Sequence, residues 1–174
     1  MGKKNIQQKP VGVTIRLKAL LFDWLFICLY LFVLFVVMMI IYIVILGGIP
    51  ELSQLQSQLI SAFTTILPII IIFSIMEGRG SYASWGKKKK QLVVTYKSHP
   101  VKGSLIRNGL KFLPWQLGHM STIYGIYNGY DSLFPLICLV LSLSLAVSYI
   151  VMAFFRKDSR HLADFIAGSQ VVKR

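Results

Sequence analysis

Four apolar stretches, residues 17–46, 59–76, 105–127 and 133–155, set the pattern of the chain. None alternates with the two-residue period of a lipid-facing strand. Helices are predicted instead, because a backbone in hydrocarbon must satisfy its own hydrogen bonds. The uncharged part of the first stretch, 24–46, already exceeds the roughly 20 residues that cross a bilayer. Gly47, Gly48 and Pro50 end it, and polar residues 51–58 read as a short outer loop or an interfacial helix. The second stretch holds Pro68, which has no N–H to bond the carbonyl of Thr64 and so predicts a kink. The third is the least apolar, carrying Arg107, Lys111, Pro114, Gln116 and His119. The fourth follows a turn at Asn128, Gly129 and Asp131 and stops at Arg156. Between the second and third lies a segment of glycines, serines and lysines, 77–104, around one short β-like run at 91–97; residues 156–174 form a polar tail.

Composition agrees with this pattern, since 55% apolar and only 14% charged residues are wrong for a soluble globule. Charge then decides the topology. Of nineteen Lys and Arg, five precede the first uncharged run, nine lie from Arg79 to Lys111, and five lie from Arg156 onward. None falls in the two remaining connections, whose charges are Glu51 and Asp131. The positive-inside rule therefore places the N-terminus, the basic loop and the tail in the cytoplasm, which requires the third stretch to span. The expected fold is an all-α membrane protein, a bundle of four transmembrane helices forming a single domain over residues 1–174, with both termini cytoplasmic. The net charge of +13 is a membrane-flank charge on this reading and not a nucleic-acid surface. The run Lys87, Lys88, Lys89, Lys90 is expected at anionic lipid headgroups. Lys3, Lys4 and Lys9 lead into an apolar run too long for a signal peptide, so an uncleaved anchor is expected; Gly2 followed by Ile6 does not fit a myristoylation pattern. Cys28 and Cys138 sit in apolar stretches and are expected unpaired.

Asp23 is the residue most in need of explanation. A carboxylate about two turns inside a span costs roughly 2.5 kcal/mol or more unless it finds a partner. Arg16, seven residues earlier, shares its face, and Arg107 or Lys111 could approach from the third span. The pair can serve as a structural lock or as a titrating, ion-binding site. Arg107, Lys111, Trp115, His119 and Thr122 recur every three or four residues and form a polar face that, with Gln116, is expected to line an interior cavity toward Asp23. His119 lies about 18 Å of helix rise beyond Arg107, where its imidazole can exchange protons or hydrogen-bond a neighbouring helix. Gly118, Ser121 and Gly125, with Ser142, Ser144 and Ser148, are small residues suited to close helix packing. His99, His119 and His161 lack metal-ligand spacing, and neither a phosphate-binding glycine loop nor a nucleophile elbow occurs, so no cofactor, no metal and no enzyme is expected.

The segments RLKALLFDWLF (16–26), SWGKKKKQLVV (84–94), LIRNGLKFLPWQLGHM (105–120) and RHLADFIAGSQVV (160–172) together resemble the RDD family of mostly bacterial membrane proteins. By that resemblance the naming arginine and aspartates are Arg16, Asp23 and Asp164. Gly86 and Lys87 match the family's loop Gly-Lys, and Arg107 with Asn108 its Arg-Asn. Ala163 stands where many relatives have His, with His161 two residues before it. The resemblance implies a multi-pass protein of the cell membrane, with sodium/proton antiport as the associated activity. The expected function is a small cation/proton transporter, working as a homo-oligomer or around a modest cavity, with Asp164 gating the cytoplasmic side. The alternative is a membrane scaffold or accessory subunit whose charges fix packing and dock a partner.

Overall fold

The structure, a computed structural model, describes residues 11–156 and 158–174. The expectations placed on Gly2, Lys3, Lys4, Ile6 and Lys9 lie outside those residues. Among the described residues three helices are long and apolar enough to cross a membrane: Val13–Ile45, Gln54–Gly78 and Leu133–Phe155. The first comprises α1 (Val13–Ile40) and a closing π-helical turn, Ile41–Ile45. The second joins α2 (Gln54–Ser61), a π-helical turn (Ala62–Ile66) and α3 (Leu67–Gly78). It starts earlier than the apolar pattern suggests because Ser53 and Gln56 cap it reciprocally: Gln56 N–H donates to Ser53 Oγ at 3.3 Å, and Ser53 N–H donates to Gln56 Oε1 at 2.8 Å. Residues 54–58 are thus helix and not loop. The third apolar helix is α6 (Leu133–Phe155). Helix α5 (Pro100–Asn128) has 29 residues, enough to span, but its charges separate it from those three.

Proline chemistry explains how the helices join. Pro68 cannot donate to the carbonyl of Thr64, and Tyr30 Oη from α1 donates to that carbonyl at 2.5 Å. Pro114 likewise leaves the carbonyl of Leu110 free, and Tyr149 Oη from α6 donates to it at 2.8 Å. Ser142 Oγ donates to the Pro114 carbonyl at 2.6 Å, and Ser121 Oγ to that of Pro135 at 2.7 Å. The two carbonyls that Pro68 and Pro114 free are thus each covered by a tyrosine hydroxyl from a neighbouring helix. Phe26, Ile66, Ile69, Phe73 and Phe112 pack around these joints.

At the basic end stands the part that an all-α reading omits. A short helix α4 (Trp85–Lys89) leads into strand β1 (Leu92–Tyr96), and after α7 (Leu162–Ile166) the tail returns as β2 (Ser169–Lys173). The strands pair antiparallel, Val94 opposite Val171. Leu92, Val94 and Val171 pack with Val11 and Ala19 in a small core beneath the start of α1. The run at 91–97 suggested β1. The sequence Ser-Gln-Val-Val-Lys is too short to signal β2 without its partner.

Candidate functional site

One cluster of buried charges joins five elements at the basic end. Asp23 of α1, 1% exposed, takes three donors from α4 and the residue preceding it: Ser84 Oγ at 2.6 Å and Lys87 Nζ at 3.4 Å on Oδ2, and Gly86 N–H at 2.8 Å on Oδ1. Gly86 has to be glycine here, because a Cβ would strike the carbonyl of Ala19 and stand 2.9 Å from Asp23 Oδ1. Lys87 Nζ also meets Glu77 Oε1 of α3 at 2.7 Å. The other oxygen of Glu77 pairs with Arg107 Nη1 of α5 and accepts from Asn108 Nδ2 at 3.2 Å. Arg107 Nε donates to Asp164 Oδ1 of α7 at 2.6 Å, and Ser169 Oγ donates to the same oxygen at 2.9 Å. Arg16 Nη2, back on α1, lies 3.9 Å from Asp164 Oδ2. Acid and base alternate along the series, from Asp23 through Lys87, Glu77, Arg107 and Asp164 to Arg16, so every charge between the ends has opposite neighbours and none is buried alone.

His161 completes the cluster on the tail. Its Nδ1 accepts from the Asp164 N–H at 3.3 Å and its Nε2 faces Asp164 Oδ2 at 3.3 Å. That arrangement assigns the proton of the neutral ring to Nε2. Burial pushes the His161 pKa down to about 4, and although Asp164 opposes this, Arg107, Lys111 and Arg16 reinforce it. Burial also raises the Asp164 carboxyl, but Arg107, His161 and Arg16 outweigh it and hold the group well below the usual carboxylate range.

The pairings differ from those expected. Arg16 and Arg107 hold Asp164, and the base on Asp23 is Lys87, which comes from the loop and not from a span. Lys87 is buried in the cluster and so does not reach a headgroup, whereas Lys88 and Lys89 are exposed. Lys89 Nζ lies over the Trp85 and Phe22 rings at 4.3 and 4.8 Å, and Lys90 Nζ over Phe22 at 5.0 Å. Lys111 sits over Phe73 and Phe112, 4.9 and 5.0 Å from their ring centres. His119 stacks on Trp115 with centroids 5.8 Å apart, and its Nε2 has no hydrogen-bond partner among the described residues. Trp115 lines a groove with Asp23. Gln116 faces away, against Phe63 and Ile66, and the Thr122 carbonyl accepts from Tyr130 Oη at 3.4 Å. The polar face of α5 is therefore divided: Arg107, Lys111 and Trp115 line the cavity and groove beside α1, while Gln116 lines a separate pocket with Phe63 and Ile66. Sequence reasoning missed Glu77, whose signal was available as a lone acid bordering a block of nine bases.

Arg16, Asp23, Lys87, Arg107, His161 and Asp164, together with Lys111, line one cavity of about 120 Å³. The two aspartates and the arginine singled out by the motif segments thus converge in space with the Gly-Lys and Arg-Asn pairs. The family model described as RDD family matches residues 10–168. The chain belongs to the RDD family. It is a multi-pass membrane protein by that membership and by its apolar helices. No curated protein and no solved structure gives a match.

Proposed function

We propose that this RDD protein is a four-span transporter that exchanges protons for a small cation, with the basic end at the cytoplasmic face and the charged cluster as its coupling centre. Helix α5 supplies the fourth span: its Arg107 is buried against Glu77 of α3 and Asp164 of α7, and beyond Lys111 it carries no formal charge. Ionisable side chains buried in a membrane bundle mark ion and proton pathways. The charge balance around the cavity is the observation that carries the reading. Arg16, Lys87, Arg107 and Lys111 supply four positive charges against three carboxylates, Asp23, Glu77 and Asp164, leaving a surplus of one. Among the described residues Lys111 has no carboxylate within 4.0 Å, so its charge is the surplus. Release of its proton leaves the cluster neutral, and entry of one cation restores the same charge. Electrostatics then makes proton and cation alternatives in one cavity.

A second reading, a scaffold, is favoured by the three donors on Asp23, an arrangement suited to locking α4 onto α1 that occupies three of the carboxylate's four acceptor positions. Full-length protein in sealed liposomes with an internal pH dye separates the two. The transporter gives proton flux driven by a Na⁺, Li⁺ or K⁺ gradient, and Lys111→Gln abolishes it. Silence with all three cations in correctly oriented vesicles overturns transport in favour of the scaffold.

A further inference from the structure

The charged cavity does not end at the cluster. Leu17, Leu20, Asp23 and Lys111 border both it and an apolar groove of about 560 Å³ that continues between α1 and α5. Along the groove α1 presents Trp24, Ile27, Cys28 and Leu31, and α5 presents Phe112 and Trp115. From Leu17 to Leu31 the wall rises about 21 Å, more than the roughly 15 Å of one leaflet's hydrocarbon. The protein leaves this wall uncovered, Leu20 being 50% and Trp24 57% exposed. At the charged end stands the Lys111 ammonium, with aromatic faces on one side and, among the described residues, no carboxylate within 4.0 Å. A cation so placed beside apolar surface has no ion-pair partner of its own.

We propose that the groove seats one molecule of an anionic membrane phospholipid, its phosphate at Lys111 and one acyl chain along α1 between Trp24 and Trp115. Charge complementarity selects this occupant. A zwitterionic lipid brings its own cation to the phosphate, and an apolar helix of a second copy brings no counter-charge. The proposal does not rest on the transport reading and holds equally for a scaffold.

Tryptophan quenching tests it. Trp24→Phe with Trp85→Phe leaves Trp115 as the one remaining tryptophan of three. The full chain is reconstituted in phosphatidylcholine vesicles containing a rising fraction of either brominated phosphatidylglycerol or brominated phosphatidylcholine. Half-quenching of Trp115 is expected at about a five-fold lower fraction of the anionic lipid. Lys111→Gln brings the two curves together. Lys111→Arg keeps them apart, while stopping proton exchange because a guanidinium holds its proton; lipid preference and flux can therefore fail separately. Coincident curves with Lys111 in place, an undiminished gap in Lys111→Gln, or a Trp115 that neither lipid quenches would each overturn the proposal, the last pointing to a second copy in the groove. Should Lys111→Gln not fold, Cys28→Phe narrows the groove without touching charge. It is expected to weaken quenching by both lipids, and unaltered quenching would overturn the acyl-chain placement.

Discussion

The two levels of this bundle are held together by different physics. In the middle, side-chain hydroxyls bridge α1 to the turn before α3 and α5 to α6, two of them covering carbonyls freed by Pro68 and Pro114. Each is a neutral hydrogen bond that shares neither donor nor acceptor with the next. At the basic end, six charged side chains share partners in series, so that Glu77 serves both Lys87 and Arg107, and Arg107 serves both Glu77 and Asp164. Neutral joints fail one at a time. A shared series fails as a unit, because removing one member leaves its neighbours buried and uncompensated.

The largest effect that would sharpen this contrast is expected from Glu77→Gln, which withdraws the acid between two buried bases. A loss of about 3–5 kcal/mol is expected in denaturant unfolding of the detergent-solubilised protein; a midpoint like that of the parent would show that the series is not mechanically shared. Acid is expected to act next, at the basic end through His161. His161 is neutral in the fold, with a pKa of about 4 against an ordinary 6.5, so the unfolded chain takes up the proton first. Stability from this group is complete above pH 6.5 and is lost as pH falls toward 4. Melting temperature should drop between pH 7 and 5, and His161→Gln should flatten that slope. A slope unchanged by the substitution would assign the acid sensitivity elsewhere. Tyr149→Phe should have the smallest effect, about 0.6–1 kcal/mol, and should add to that of Tyr30→Phe because the two joints share no residue. A double variant costing much more than the sum would show that the middle is cooperative too.

Much of the membrane architecture was legible in the chain. The apolar stretches found the helices Val13–Ile45, Gln54–Gly78 and Leu133–Phe155, and Pro68 announced the irregular turn before α3. Asp23, with Arg16 and Arg107 as its candidate partners, stood out because charges are expensive inside apolar runs, Asp164 stood out through the family resemblance, and all four line the same cavity. Their pairing was not legible. Spacing along α1 put Arg16 and Asp23 on one side of a helix, but only the return of the tail as β2 brings Asp164 under Arg16, and only the close approach of α4 to α1 at Gly86 brings Lys87 to Asp23. Lys87 read as one of four lysines facing anionic headgroups until its neighbours were known.

What the sequence determined by itself is which segments leave water, since transfer of an apolar run into lipid depends on local composition and length. Which acid meets which base was decided by tertiary structure. Coulombic attraction and desolvation act between groups near in space and distant in sequence, and a two-stranded sheet closing from residue 92 to residue 173 places them.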